Sequence, residues 1–436
     1  MKKGVVALFI VVALIILVSP GIVGRLAERS MDENLDWAAA KTDDIVVTSQ
    51  GFDRGWFSSA GTHRIELRDG PLKALVLDLA NSEGAEGLPV LIVDTELDHG
   101  LVAVTSMSRE HGSLTPGLGR AVSTLAVEFA DGTVAELPGT IYSKVALNGV
   151  LTSNLVLPAG TASEDGNTLD WGDVDVVLTA SPQDGTIAVR GNVAGIRAAS
   201  AGGEKTRLDT LAFSGRQRPG PFGFPLGEMQ VAAGSLATTT GTDATTFGAA
   251  TFNARLDAKG GSVTAGTTLR IDGIETDFGD ANLVVDGRIG GLDGAALGAL
   301  WRHVRESADD DVVDERLHAL QMEVLAAGLA VDVDPLELEL PQGPLRSTLH
   351  ATLGKTDAAS FNWAALLLAV DATFELSMAE DLADLAMALD PQAGAAIALG
   401  YLKKDGDAYT MLAELSKGRL TINGAPMQLP LGGLQP

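Results

Sequence analysis

Gly51-Phe52-Asp53-Arg54-Gly55-Trp56-Phe57-Ser58-Ser59-Ala60 is the stretch from which the rest of the chain is read. Ile45-Val46-Val47-Thr48-Ser49 precedes it as a β-branched, strand-like run. Gln50 to Gly55 then supplies turn chemistry, and Trp56 to Leu67 resumes as a strand, so the unit reads as a hairpin. A period of two puts Trp56, Ser58, Ala60, Thr62, Arg64 and Glu66 on one face. Phe57, Ser59, Gly61, His63, Ile65 and Leu67 take the other, and one side is the wetter.

Composition extends this reading to the whole chain. At 436 residues it exceeds the size at which a single hydrophobic core stops growing, which implies two lobes or one elongated sheet. With 51 glycines, 17 prolines and only 20% charged residues, it suits many short strands joined by tight turns. The net charge of −26 is carried by the part beyond residue 30, because Lys2, Lys3, Arg25 and Arg29 outweigh Glu28 before it. That acidic bulk repels polyanions, and the absence of clustered Lys and Arg argues against nucleic-acid binding. Zero cysteines remove disulfides, thiolate nucleophiles and Cys-type zinc sites together.

N-terminal to the hairpin, Gly4 to Val23 is an almost unbroken apolar run behind Met1-Lys2-Lys3. About 20 residues at roughly 1.5 Å rise cover about 30 Å, enough to cross a bilayer core. The positive-inside bias leaves Lys2 and Lys3 in the cytoplasm and sends the remainder across. A cleaved signal peptide is the rival reading, with Val5 to Val18 as its apolar region and Ser19-Pro20-Gly21 as a helix breaker. No small-residue cleavage site stands out. A retained anchor also fits Gly24 to Lys41, where Leu26, Met31, Leu35 and Ala38 recur at helical spacing.

An anchor, a short helix and then Arg54-Gly55-Trp56-Phe57-Ser58-Ser59 resemble the signature of the YdgA-like family of uncharacterised bacterial envelope proteins. The far end is similar too: Gly400-Tyr401-Leu402, then Gly418-Arg419-Leu420-Thr421-Ile422-Asn423-Gly424-Ala425-Pro426-Met427. The resemblance implies an inner-membrane protein with its bulk in the periplasm, and it supplies no activity or catalytic residues.

The signature also brings Asp53, Ser58, Ser59 and His63 within a few positions, the residue types of a hydrolase triad. Strand geometry separates them. Ser59 and His63 share a face but stand about 13 Å apart, far beyond the roughly 3 Å that a base requires. Ser58 points the other way. Arg54, Gly55, Trp56, Phe57, Ser58 and Ser59 are therefore read as structural: Arg54 and Gly55 set the turn, while Trp56 and Phe57 pack on opposite sides of the sheet.

Further strands are expected at Leu72 to Ala80, Val90 to Val104, Val134 to Val145, Val174 to Ala180, Thr186 to Val193, Thr251 to Leu256, Thr267 to Ile274 and Ala281 to Val285. Gly234 to Gly248 reads as a loop or weak edge strands, and the Pro/Gly connection Arg216 to Pro225 as a hinge if two lobes exist. Helices are expected at Gly294 to Ser307, behind an Asp293 cap, and at Val313 to Leu329 after Asp309-Asp310-Asp311. In the last quarter, Leu336 to Leu340 pairs with Leu345 to Leu353, Leu366 to Met378 forms a longer strand, and Ala379 to Leu389 forms a helix. Ala393 to Leu399 adds a turn or two, and Ala408 to Leu415 with Arg419 to Ile422 closes the chain.

Glu96-Leu97-Asp98-His99 and Glu315-Arg316-Leu317-His318 both fit Glu-x-x-His, but only the second falls on an expected helix, so a di-metal bundle is not indicated. His-Glu-x-x-His, Gly-x-Ser-x-Gly, phosphate-loop and dinucleotide motifs are missing. The expected class is thus α+β: an N-terminal transmembrane helix over residues 1–24, followed over residues 25–436 by an extended, mostly antiparallel β-sheet with a few covering helices. The expected role is a non-enzymatic binding or scaffolding protein of the bacterial envelope, needing no cofactor or metal. Its partners would be the inner membrane, through the N-terminal helix, and an envelope lipid or protein. A lipid-holding version requires an apolar groove between sheet and helices. The alternatives are an envelope hydrolase with a site assembled from distant segments, and a homo-oligomer built through sheet edges.

Overall fold

The computed structural model describes residues 45–54, 58–67, 90–99, 119–128, 132–164, 167–241, 243–306, 315–356 and 363–427, with two isolated positions, 73 and 88. The anchor at Gly4 to Val23, the outward helix to Lys41, most of the Leu72 to Ala80 run and Asp309 to Asp311 lie outside the described residues. Among the described residues no helix is long and apolar enough to cross a membrane. What is described is sheet-dominated and antiparallel, with few helices.

The chain divides into two compact units, and the first break falls between Pro219 and Gly220, within the Pro/Gly connection. The first unit contains β1 (Ile45–Arg54), β2 (Ser58–Leu67), β3 (Val90–His99), β4 (Gly119–Glu128), β5 (Val134–Val145) and β6 (Leu151–Leu157). It continues with β7 (Gly160–Glu164), β8 (Asn167–Trp171), β9 (Val174–Ala180), β10 (Ile187–Val193), β11 (Ile196–Ala199), β12 (Lys205–Leu208) and β13 (Leu211–Pro219). β14 (Pro225–Ala233) belongs to the second unit, and β15 (Leu236–Thr240) returns to the first.

Strands β1 to β6 form a meander extended by β9, β10 and β13. A second run orders β7, β8, β11, β12 and β15. The two runs share their long strands, which bend where β8 gives way to β9 and β10 to β11. At that bend Gly172 N–H donates to Gly195 C=O, and Ala194 N–H to Asp173 C=O, both at 2.9 Å. Gly195 sits at φ +118°, and a Cβ on Gly172 would meet Ala194 O at 2.7 Å, so both positions require glycine. The inward face carries Val47, Ile65, Leu91, Leu125, Val127, Leu155 and Val176, all buried in one cluster. Each such side chain contributes about 1.5–3 kcal/mol by leaving water.

The expected turn at Gln50 to Gly55 is corrected. β1 runs through to Arg54, and the irregularity at Gln50 is a β-bulge between Ser49 and Gly51. One extra residue in a paired strand absorbs the turn-prone Gln-Gly pair without ending the ladder.

The second unit holds β17 (Ala250–Lys259), β18 (Ser262–Thr276) and β19 (Gly279–Asp293), reached through β16 (Asp243–Phe247). Next come α1 (Gly294–Glu306), α2 (Glu315–Ala326), β20 (Leu329–Leu340), β21 (Gly343–Leu353), α3 (Trp363–Ala369) and β22 (Val370–Ala379). It closes with α4 (Glu380–Leu389), α5 (Pro391–Ala398), β23 (Lys403–Asp405), β24 (Ala408–Ser416), β25 (Arg419–Ile422) and β26 (Ala425–Met427). Its sheet follows the order β14, β17, β18, β19, β20, β21, β22, β24, β25, β26, antiparallel throughout.

Asp293 caps α1 as its position suggested: Oδ1 accepts the N–H groups of Ala295 at 3.0 Å and Ala296 at 2.9 Å. α2 stops at Ala326 because Gly328 takes φ +85° and the chain leaves as β20. Leu366 to Ala369 is helical where a strand was expected. Trp363-Ala-Ala-Leu-Leu-Leu-Ala consists mainly of the best helix formers, and the first β-branched residue is Val370, where β22 starts.

Candidate functional site

The triad residue types do not converge. Ser59 and His63 both lie in β2 and are buried, while Asp53 is exposed and pairs with exposed Ala60 on the reverse face. His63 stands opposite Ser49 and Val93, and Ser59 opposite Arg54 and Leu97. Ser58 opens β2 opposite Asp98. Gly55, Trp56 and Phe57 lie outside the described residues, so of the signature the structure places Arg54, Ser58 and Ser59 at the closed end of the hairpin. Hydroxyls nearby satisfy one another across strands: buried Thr95 with Ser123 at 2.8 Å, and half-buried Ser143 with buried Ser153 at 2.7 Å. These pairs hold a polar strip inside an apolar face, as buried hydroxyls require. Glu96 and His99 lie on β3, whereas Glu315 and His318 lie on α2. Among the described residues no group of three or more His, Asp or Glu could hold a metal ion.

The C-terminal signature has a structural explanation. Asn423, at φ 51°, turns the chain from β25 into β26. Its Oδ1 accepts Leu412 N–H at 2.9 Å, and its Nδ2 donates to Gly400 O at 3.1 Å and Tyr401 O at 3.0 Å. One side chain therefore ties the Asn-Gly turn to the Gly-Tyr segment that leaves α5. Sequence reasoning noted both stretches and missed their contact.

The feature of the second unit most suited to function is the face of its sheet. Registers align Val231, Phe252, Leu269 and Val285 across β14, β17, β18 and β19. The same row continues as Leu336, Ser347, Leu376 and Met411 across β20, β21, β22 and β24. A second row runs Met229, Ala254, Thr267, Gly287, Val333, Leu349, Phe374, Ala413, and a third runs Gly227, Leu256, Ala265, Ile289, Val331, Ala351, Ala372, Leu415. None of these three rows contains a charged residue. Most of their side chains are half-buried, and Met229 at 47% and Ile289 at 40% are exposed.

Helices pack at the two ends of the strands and reach into the outer rows: Leu256 of the third row belongs to the cluster at one end, and Leu376 and Met411 of the first row to the cluster at the other. At one end Phe222 and Leu297 of α1 pack over Val263, Leu256 and Leu292. There Gly294 and Gly298 let the Phe222 segment approach: a Cβ on Gly294 would stand 2.3 Å from the Phe222 ring, and one on Gly298 would stand 2.3 Å from its carbonyl. Phe224 carries the stack on to Trp301, with centroids 6.5 Å apart. At the other end α4 and α5 bring Leu382, Ala383 and Ile397 over Met378, Leu345 and Tyr409.

The reverse face of the same sheet is polar and ion-paired. Arg346 Nε donates to Glu337 Oε1 at 2.7 Å, His350 Nδ1 meets Asp332 Oδ1 at 3.0 Å, and Arg255 pairs with Asp257. The hydrogen bond to Asp332 raises the His350 pKa, and the charges of Asp332, Asp334 and Glu375 add to it against a smaller desolvation effect. An open depression of about 360 Å³ lies at the edge of this face beside Arg346, Ser377 and Asp407.

The sheet of the second unit thus carries ion pairs on one face and three charge-free rows on the other. The profile of a family described as bacterial protein of unknown function (DUF945) matches residues 1–430. The chain belongs to this family. Both signature stretches, Arg54 to Ser59 and Gly400 to Met427, fall inside the span that matches DUF945. No curated protein and no solved structure matches the chain.

Proposed function

We propose that this DUF945 member is a membrane-anchored periplasmic protein of the YdgA-like kind, and that it binds a hydrophobic envelope component on the sheet of its second unit without catalysing a reaction. The observation that carries this reading is the charge-free row from Met229 to Ala413, none of whose side chains belongs to the clusters at Phe222–α1 or at α4–α5. The apolar run Gly4 to Val23 behind Lys2 and Lys3 supports the anchor, and the resemblance at both ends of the chain supports the compartment. The acidic remainder keeps the protein soluble beside a membrane.

Fractionation of cells carrying the full chain, followed by mild detergent extraction and mass spectrometry of the purified protein, tests the reading. Recovery from the inner membrane with copurified lipid is expected. Recovery from the cytosol, or a purified protein that carries and takes up no apolar molecule, would overturn it.

A further inference from the structure

Resting on that reading of the second sheet, we propose that the ligand is a lipid held by its acyl chains, which lie across the strands, and that the track takes two chains end to end. The three charge-free rows cross eight strands, from Met229 on β14 to Ala413 on β24. At about 4.8 Å per strand the track is about 34 Å long. One acyl layer of a bilayer, half of a hydrocarbon core of about 30 Å, is about 15 Å. Two chains in line fill the track, and one leaves half of it exposed.

Chemistry excludes an extended peptide. A bound strand must satisfy its backbone N–H and C=O groups, and the side chains of the three rows offer only the hydroxyls of Thr267 and Ser347. A hydrocarbon chain has no such demand. Area argues against a second copy of this chain. Three rows of residues are about 13 Å deep, so even with Leu256, Leu376 and Met411 counted in, the face measures at most about 450 Å², roughly half of the about 800 Å² per partner that a stable protein interface buries.

The chain has no cysteine, so reporters can be placed singly at the two ends of the track. Met229→Cys and Ala413→Cys, each labelled with bimane, would be titrated with a fatty acid brominated at mid-chain. Both reporters are expected to be quenched, at a stoichiometry of two fatty acids per protein. Quenching of only one reporter, saturating at one fatty acid, would overturn the end-to-end arrangement while leaving a lipid-binding protein. Protection of both sites through dimerisation, seen by light scattering without lipid, would also overturn it. Failure of either labelled protein to bind any fatty acid, with the unlabelled chain equally inert, would remove the underlying reading as well.

Discussion

Leu336→Glu is the most informative single substitution. Leu336 lies mid-track between Val285 and Ser347 and is half-buried. One strand spacing of about 4.8 Å is covered by roughly four methylenes of a chain lying across the strands. At about 0.8 kcal/mol per buried methylene, halved because an open face covers one side, the contact is worth about 1.6 kcal/mol. A carboxylate there forfeits that amount and adds its own desolvation, so the dissociation constant should rise about 15- to 30-fold. Because the position is half-open, folding should lose only about 1 kcal/mol. The assay is displacement of a fluorescent fatty acid, read beside a thermal melt. Glu337→Ala, one residue along on the reverse face, serves as the control and should bind as the parent does. Equal affinity for Leu336→Glu and the parent, or equal weakening by Glu337→Ala, would refute the assignment of the face.

Four other outcomes follow from the geometry. Asn423→Ala removes three hydrogen bonds at about 0.5–1.5 kcal/mol each, so the second unit should lose about 2–4 kcal/mol in urea unfolding, with faster hydrogen exchange first at Leu412. Gly298→Leu drives a side chain into the Phe222 carbonyl and should cost about 1–3 kcal/mol, measurable as a lowered melting temperature. His350 should titrate above its ordinary value in an NMR pH series and move back down in Asp332→Asn; with its folded pKa raised, its contribution is present below the unfolded pKa and fades as pH rises through the folded one. Trp56→Ala should lower folded abundance on an immunoblot if the hairpin signature is structural; full abundance with lost phenotype would make it a docking site.

Much of this fold is legible in local sequence. Alternation marks β17 to β21, Asp293 announces the start of α1, and Asn423-Gly424 announces the closing turn. Local pattern failed where one rule competed with another. Gln50-Gly51 has turn chemistry, yet cross-strand pairing carries the ladder past it as a bulge. Leu366 to Ala369 is apolar enough for a strand, yet its Ala and Leu content favours α3.

The candidate surface is a different matter, because it depends on register. The bulge in β20 between Val333 and Leu336, opposite Val285 and Gly287 on β19 and Leu349 and Ser347 on β21, decides which side chains align across the strands. Without that shift the apolar rows would not be continuous, and no spacing within a single strand encodes it. The Asn423 clamp was hidden for a similar reason, since its partners Gly400 and Tyr401 are distant in sequence. The signal that could have exposed it was the joint presence of both stretches in the C-terminal signature.

Native mass spectrometry of the full chain released from membranes measures the central claim most directly. The account predicts a lipid-bound species in the parent protein that is lost in Leu336→Glu and retained in Glu337→Ala. A parent protein that flies without lipid, and gains none when lipid is added, would contradict it.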